Sequence, residues 1–240
     1  MKTKHQHIFK FFISLCFILV FVDSYAQLTD TKEETKQDSI IYKTNYGIRV
    51  GLDVSRPIRG LIQDFYSGFE LVADYRISDK WYVATEFGTE EQTTNEDFTN
   101  STSKGQFIRL GMNYNSYNNW MNMNNEVYLG FRYGFSLFEQ TLNSYQINTG
   151  NTVFNPQTIT TSINEDGLTA HWLELMIGIK AEVYDNVFIG ISGSYKILAS
   201  VDTPTNFMTH FAPGFNRVYL SNTGFGVNYT ISYLIPFRKK

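Results

Sequence analysis

Cysteine is nearly absent from this sequence. The 240 residues contain one, Cys16, which lies inside the most apolar segment of the chain and is preceded by Leu15. A lipid-modified cysteine would follow small residues at the end of such a segment, whereas here apolar residues continue to Val22. If the segment is removed as a signal, no thiol remains for a disulfide, a nucleophile or a metal site. Stability must then come from burial and hydrogen bonds.

Long apolar runs are also missing beyond the first 26 residues, although hydrophobic residues make up 42% of the chain and aromatic residues 16%. The mean hydropathy is only −0.24. A helical membrane protein needs repeated apolar runs of roughly 18 residues or more, so this class is excluded. The same composition permits β-strands in which every second residue is polar.

The first residues have the features of a secretory signal. Lysines precede an apolar core over residues 11–22, and SYA at 24–26 places small residues at the end of the segment, as a cleavage site requires. We predict a signal peptide over residues 1–26, cleaved before Gln27, rather than a retained anchor, because the uncharged core is short for a membrane span.

A strong charge of either sign is lacking as well. The chain has 20 Lys and Arg against 23 Asp and Glu, and removal of the signal's three lysines and Asp23 leaves 17 against 22, a net charge of −5. Nucleic-acid binding would require a clustered basic surface, so no nucleic-acid partner is expected. Residues 27–44 are polar and predict a flexible periplasmic arm, followed by one domain over residues 45–240.

Histidine is scarce, which limits the available chemistry. After the signal only His171 and His210 remain. Strand parity places His171 on the outward face beside Trp172, and His210 lies in a long loop near Ser200, Asp202 and Thr209 only in sequence. A Ser/His/acid site needs a histidine base within reach of its nucleophile. We therefore predict no catalytic residues and a protein that is not an enzyme.

Metal ligands are no better provided. After the predicted signal there is no closely spaced histidine pair for zinc, and the acidic segment at 89–100 lacks the spacing of a calcium loop. We predict no metal and no cofactor.

From Tyr46 onward the sequence alternates with a period of two, which is typical of β-strands and not of helices. We predict eight strands, at about residues 45–56, 68–77, 81–91, 104–115, 126–141, 169–183, 187–198 and 219–236. Strands two and three, and six and seven, are joined by three residues each. The connections at 57–67, 92–103, 142–168 and 199–218 are long. In an antiparallel up-and-down sheet the long connections then share one end.

The polar face of these strands carries glycines and charges of both signs. Glycine is unfavourable on a solvated strand face but suits a crowded interior. We therefore predict an inward polar face whose charges pair as a plug of side chains rather than lining a pore. The predicted interior ion-pair cluster is Arg49, Asp53, Asp74, Glu86, Arg109, Arg132 and Glu174.

The opposite face is apolar and bears aromatic residues near the predicted strand ends. Tyrosine and tryptophan favour membrane interfaces, where the ring contacts lipid and the polar atom contacts water. The predicted aromatic girdle is Tyr46, Trp81, Tyr114, Tyr229, Tyr233 and Phe237. A soluble periplasmic barrel that binds a small apolar ligand is the alternative, with these aromatic residues turned inward.

The signal, the eight strands, the unequal loops and the aromatic last strand FGVNYTISYLIPF (225–237) resemble the small eight-stranded outer-membrane barrels of Gram-negative bacteria, the OmpA and OmpX type. The resemblance implies an all-β, eight-stranded antiparallel up-and-down transmembrane β-barrel. It also implies outer-membrane lipid and the barrel-assembly machinery as partners, with Phe237 as the C-terminal aromatic. The sequence RKK (238–240) departs from the family pattern by following this aromatic, and we interpret it as a periplasmic tail.

Two functions remain open at this stage. The first is a non-enzymatic outer-membrane barrel with a filled interior, acting in envelope structure or in surface recognition of an unknown extracellular ligand or envelope partner. The second is a barrel that modifies or handles lipids of the outer leaflet. Polar loops at 55–68 and 140–167, with aromatic and arginine side chains, are the candidate recognition segments. The second of them is also interpreted as a hairpin that continues strands five and six.

Overall fold

The computed structural model describes residues 45–118, 124–147 and 157–239, and within them one helix and ten strands. The elements are β1 (Asn45–Asp53), α1 (Ser55–Ile62), β2 (Tyr66–Arg76), β3 (Trp81–Asn95), β4 (Thr99–Asn115), β5 (Glu126–Gln146), β6 (Thr158–Tyr184), β7 (Val187–Val201), β8 (Phe211–Ala212), β9 (Asn216–Arg217) and β10 (Thr223–Lys239). The predicted signal peptide (1–26) and arm (27–44) lie outside the described residues and stay predictions.

Eight of these strands form a closed antiparallel barrel in the order β1-β10-β7-β6-β5-β4-β3-β2, while β8 and β9 pair with each other. The predicted eight-stranded up-and-down barrel is confirmed. Closure is made by β1 and β10, which pair from Asn45↔Lys239 to Asp53↔Thr230. Every barrel strand therefore has two neighbours, so the ring has no edge strand.

The last strand is shifted relative to its predicted position of 219–236. It begins at Thr223 and continues through Lys239. The prediction of Arg238 and Lys239 as a tail after the strand is wrong. Both residues belong to the strand, because Arg238 pairs with Tyr46 and Lys239 pairs with Asn45 of β1.

The barrel has one end with short connections, here called the turn end, and one with long connections, here called the loop end. At the turn end, residues 77–80 join β2 to β3, and Asp185 and Asn186 join β6 to β7. Asn186 has a φ of 62°, a left-handed conformation that asparagine tolerates better than most residues. The loop end carries α1, residues 96–98, the end of β5, the start of β6 and residues 202–222.

Two segments that the sequence predicts as long connections are mainly β-strand in the structure. β3 and β4 stay paired as far as Asn95↔Asn100, so the loop predicted at 92–103 is a hairpin with a tight turn. Its threonine-rich sequence suits a strand because β-branched side chains fit the pleated surface. β5 and β6 likewise pair out to Gln146↔Thr158, as the hairpin interpretation of this segment expected.

The connection predicted at 57–67 contains α1. Asp53 accepts a hydrogen bond from the backbone N–H of Ser55 at 2.8 Å, which satisfies one donor at the start of the helix. Pro57 lies in the first turn, where a missing N–H removes no helical hydrogen bond. No helix within the described ranges is long and apolar enough to cross a membrane.

Every barrel strand turns apolar side chains outward over the part nearer the turn end. Exposed examples, one from each strand, are Val50, Leu71, Val83, Leu110, Leu129, Ile177, Ile191 and Ile231. We call this surface the apolar band and define it by the outward side chains within 48–52, 69–77, 81–87, 108–114, 127–137, 173–183, 187–197 and 225–237. Nearer the loop end the outward side chains become polar, for example Glu91, Lys104 and Glu139.

Candidate functional site: a filled lumen and a plugged mouth

Nearer the turn end, the lumen is held by a group of charges around Arg49. Antiparallel register places Arg49 opposite Asp74, and the two form an ion pair at 2.7 Å. Arg49 also donates to Glu126 at 2.6 Å, while Lys180 pairs with the other oxygen of Asp74. The Arg49 guanidinium lies 4.7 Å from the centre of the Phe188 ring, which closes this layer by a cation–π contact.

Nearer the loop end, a second group is centred on Arg109. Its guanidinium pairs with Glu70, with Glu86 at 2.8 Å and with Glu174 at 3.2 Å. Arg132 donates to Glu86 at 3.2 Å. Register places Glu86 opposite Arg109, and Glu174 opposite Arg132.

Six of the seven predicted cluster residues lie in these two groups: Arg49 and Asp74 in the first, and Glu86, Arg109, Arg132 and Glu174 in the second. Asp53 is buried too, but it does not fit the prediction of an ion pair. Its carboxylate accepts hydrogen bonds from Asn228 at 2.5 Å and from the start of α1. Asp53 therefore joins β10 to the helix by neutral donors.

The two groups contain charged residues that the predicted cluster omitted. They are Arg56, Glu70, Glu90, Glu126, Lys180 and Lys196. Strand parity alone identifies Glu126 as inward, since it shares a face with Arg132. Arg56 had no such signal, because it lies on α1 and enters the lumen from the loop end.

The lumen is filled by these side chains. Together with the predicted residues they make six cations and seven carboxylates, which nearly balance, as buried charges must to be tolerated. The cavity between Arg49, Glu70, Glu86 and Lys180 has a volume of only about 30 Å³. That volume is about a tenth of the roughly 300 Å³ at which ligand pockets begin.

The loop end of the lumen is closed by residues 202–222, which we call the plug loop. Phe211, Ala212 and Phe215 of this loop are buried, and the Phe215 ring meets the Trp172 ring edge-on at 6.1 Å. An apolar cluster forms around them, comprising Phe107, Phe138, Leu168, Ala170, Trp172, Leu198, Ala212 and Phe215. The segment expected to be a surface loop is therefore folded into the barrel.

Polar contacts fix the plug loop to the charged lumen. The backbone N–H of Gly214 donates to Glu90 at 2.5 Å, and the Lys196 ammonium donates to the Gly214 carbonyl at 2.6 Å. Gly214 has a φ of 80°, and a Cβ there would meet the Phe107 ring at 2.5 Å, so only glycine fits. Glu90 also pairs with Arg56, so plug loop, α1 and barrel wall share one network.

The two histidines lie in unlike surroundings. His171 is half-buried on the outward face of β6, where its Nδ1 is 2.7 Å from the Tyr133 hydroxyl. His210 belongs to the plug loop, and its carbonyl accepts a hydrogen bond from Val218 at 2.9 Å. Among the described residues, the hydrogen-bond partner of the His171 ring is a tyrosine hydroxyl and not a serine hydroxyl.

Ser200, Asp202 and Thr209, which are near His210 in sequence, lie at the end of β7 and in the plug loop, where the Thr209 hydroxyl donates to the Asp202 carbonyl at 2.8 Å. Ser200 is opposite His171 in the β6-β7 register. Asp202 accepts hydrogen bonds from the Thr169 hydroxyl at 2.6 Å and the Thr169 N–H at 2.9 Å. These two bonds lower the pKa of Asp202 below its ordinary value, and they anchor the start of the plug loop to β6. Within residues 45–118, 124–147 and 157–239, no cluster of His, Cys, Asp or Glu is suited to hold a metal ion.

The predicted girdle residues occupy several heights. Trp81 and Tyr114 lie opposite each other near the turn end, with ring centres 5.1 Å apart. Tyr46 and Phe237 lie at the same end, where β1 begins and β10 finishes. Tyr233 is opposite Val50 in the middle of β1. Tyr229 lies beyond the far end of β1, where the Tyr229 carbonyl accepts a hydrogen bond from the N–H of Val54 at 2.8 Å. The six residues therefore do not form one ring.

Comparison with known families now adds to this geometry. Residues 8–240 match the family model described as a domain of unknown function, DUF6048. The chain belongs to the DUF6048 family. No curated protein matches the sequence of this DUF6048 chain.

Among solved structures, the DUF6048 chain is similar to Ail, the attachment invasion locus protein of Yersinia pestis, with 11% identity and a TM-score of 0.39 over 80% of this chain and 98% of that one. It is also similar to Neisserial surface protein A, with 13% identity and a TM-score of 0.40 over 79% and 94% of the two chains. The barrel assignment rests on the strand pairing of the DUF6048 chain itself.

A groove lies at the mouth of the DUF6048 barrel, beside the plug loop. It has a volume of about 910 Å³ and lies between α1, the end of β3 and residues 211–225. Its lining includes Arg59, Phe65, Gln92, Arg217, Tyr219 and Phe225. Arginine and aromatic side chains on a rigid frame are suited to recognition.

Proposed function

We propose that this DUF6048 protein is a non-conducting, non-enzymatic outer-membrane barrel of a Gram-negative bacterium, acting in envelope structure or in surface recognition through its loop end. The observation that carries the proposal is the arrangement of its two faces. Apolar side chains point outward from all eight strands, and ion-paired charges fill the inside. A water-soluble barrel has the reverse arrangement, whereas a membrane barrel turns apolar side chains outward because its outer surface contacts lipid.

Membrane insertion explains the extent of the exposed apolar surface. Soluble monomers rarely expose a contiguous apolar patch larger than a few hundred Å², whereas the apolar band encircles the barrel. Backbone groups in hydrocarbon must be paired within the protein, and the closed ring of strands meets this requirement. Assembly by the barrel-assembly machinery, and contact of the apolar band with outer-membrane lipid, are parts of the proposal.

The filled lumen supports the absence of conduction. The charged groups leave a cavity of about 30 Å³, and the plug loop covers it. The same volume argues against the alternative of a soluble barrel with a small apolar ligand inside, because ligand pockets usually measure about 300 Å³ or more.

Cell fractionation combined with gel migration tests the membrane location. We expect the protein in the outer-membrane fraction, extracted only by detergent, and a gel mobility that changes after boiling, since the closed barrel resists the detergent until it is heated. Recovery of the mature chain as a soluble periplasmic protein would overturn the proposal.

Planar-bilayer recording tests the filled lumen separately. The purified protein is expected to give no steady conductance at neutral pH. Large and stable open-channel currents from correctly folded barrels would contradict the plugged lumen while leaving the membrane location intact.

The competing lipid-modifying function has its own test. Lipid A species are compared in cells with and without the protein, and in cells that carry His171→Ala or His210→Ala. We expect identical lipid profiles in all four. A new lipid species that depends on either histidine would replace this proposal with the enzymatic one.

A further inference from the structure

The exposed side of α1 is apolar, although the helix lies outside the strands. Leu61 is 87% exposed, Ile62 is 76% exposed, and Phe65, which follows the helix, is 60% exposed. Ile58 on the same helix is exposed as well. A single exposed apolar side chain needs no explanation, but four within eight residues form a surface that water solvates poorly.

The polar side of α1 is fixed to the barrel, so the helix cannot turn its apolar side inward. Arg56 points into the lumen and pairs with Glu70 at 3.0 Å and with Glu90. The Arg59 guanidinium lies 3.9 Å from the centre of the Tyr66 ring and donates to Gln92 at 3.0 Å. Breaking these contacts would leave buried carboxylates unpaired, which is costly.

This orientation repeats the inverted pattern of the barrel wall. A helix on the mouth of a water-soluble barrel would bury its leucine and isoleucine side chains and expose its arginines, whereas α1 does the opposite. The helix is also continuous with the apolar band. Val54 alone separates it from β1, whose last outward apolar residue is Leu52, and Phe69 is the corresponding exposed residue of β2.

We propose that the apolar side of α1, together with Phe65, binds the hydrocarbon of the outer leaflet at its boundary with the headgroups. The proposal rests on the membrane location proposed above and adds a second lipid-binding element to the strands. An amphipathic helix lying in the interface buries its apolar face roughly 5–10 Å into the headgroup and acyl boundary. The inward arginines keep α1 attached to the lumen while its other side contacts lipid.

Spin labels measure the surroundings of α1 directly. The only cysteine of the chain lies in the predicted signal, so single cysteines can be introduced into a cysteine-free mature protein. Leu61→Cys reports on α1, Leu129→Cys on the apolar band, and Asp166→Cys on an exposed site of the projecting β5-β6 hairpin. Each nitroxide-labelled barrel is placed in phosphatidylcholine vesicles, and its collisions with oxygen and with a water-soluble nickel chelate are compared.

The expected result is that the labels at residues 61 and 129 collide more with oxygen, and the label at 166 more with the nickel chelate. If only the label at 61 joins the water-exposed group, lipid binding by α1 is overturned and the membrane barrel stands. If the label at 129 is also water-exposed, the membrane location itself fails. Dipolar broadening between labels at 61 would show a second copy covering α1, and would overturn the lipid proposal too. Heat-dependent gel mobility verifies that each labelled barrel is folded.

Discussion

Arg109 joins four strands at the centre of the barrel, because its guanidinium on β4 meets carboxylates from β2, β3 and β6. Strand parity predicts that Arg109 points inward. It does not predict all of the partners. Glu86 is a cross-strand neighbour of Arg109, but Glu174 contacts Arg109 from across the lumen. Those distant contacts depend on barrel closure and stagger, which no local pattern contains.

Arg109→Met is expected to destabilise the barrel by about 3–5 kcal/mol, because three buried carboxylates lose the cation they share and each keeps one other cation as a partner. Urea unfolding in detergent measures this change. Lys104→Met is the matched control on the same strand. Lys104 is exposed and lies 3.6 Å from Glu91, so its loss is expected to cost less than about 1 kcal/mol. Equal effects of the two substitutions would show that the buried group contributes no more than a surface pair.

A pair of glycines tests how tightly the lumen is packed. A Cβ on Gly134 would overlap the Trp172 indole, whereas a Cβ on Gly193 would meet nothing within 4 Å. Gly134→Ala is therefore expected to cost about 1–3 kcal/mol by overpacking, and Gly193→Ala to be neutral or slightly stabilising. Urea midpoints of the two variants decide the matter, and a neutral Gly134→Ala would mean that the tryptophan has room to move.

At the scale of elements, the strands follow from sequence and the segments around the mouth do not. Alternation over residues 126–141 is a local property, and it suffices to place β5. The plug loop has no period, and its buried residues Ala212 and Phe215 are recognisable only once β4, β5, β6 and β7 supply the apolar side chains against which they pack. The sequence contains a weak local signal for α1. Asp53 is followed closely by Pro57, and this order is typical of the start of a helix.

Phe215→Ala is expected to loosen the plug loop without unfolding the barrel. The substitution removes the ring that packs against Trp172, and Phe/Trp→Ala changes in cores typically cost about 3–5 kcal/mol. Hydrogen–deuterium exchange is expected to rise within residues 202–222 and to stay unchanged in β5. Leu220→Ala is the control, because Leu220 lies in the same loop and is 97% exposed. A uniform rise across all strands would mean that the plug loop and the wall unfold as one unit.

At the scale of the whole molecule, the inverted placement of polar and apolar residues makes stability depend on the solvent around the barrel. Leu129→Arg, in the apolar band and 59% exposed, is expected to cost about 1–3 kcal/mol in liposomes, because Leu129 is opposite Tyr114, between the turn end and the middle of the band. Leu220→Arg at the mouth is expected to change nothing. Urea titration of both variants in liposomes measures the difference. A harmless Leu129→Arg would show that this surface meets water.

The closing seam between β1 and β10 sets the order of events when the barrel forms. Asn45 pairs with Lys239, so the ring cannot shut until the strand made last finds the strand made first. Contacts between such distant parts of a chain are slow to form, because loop-closure entropy opposes them. During that interval two strands present open backbone edges, which invite pairing with other chains. The nascent barrel therefore has its greatest need for a holding partner just before the seam closes.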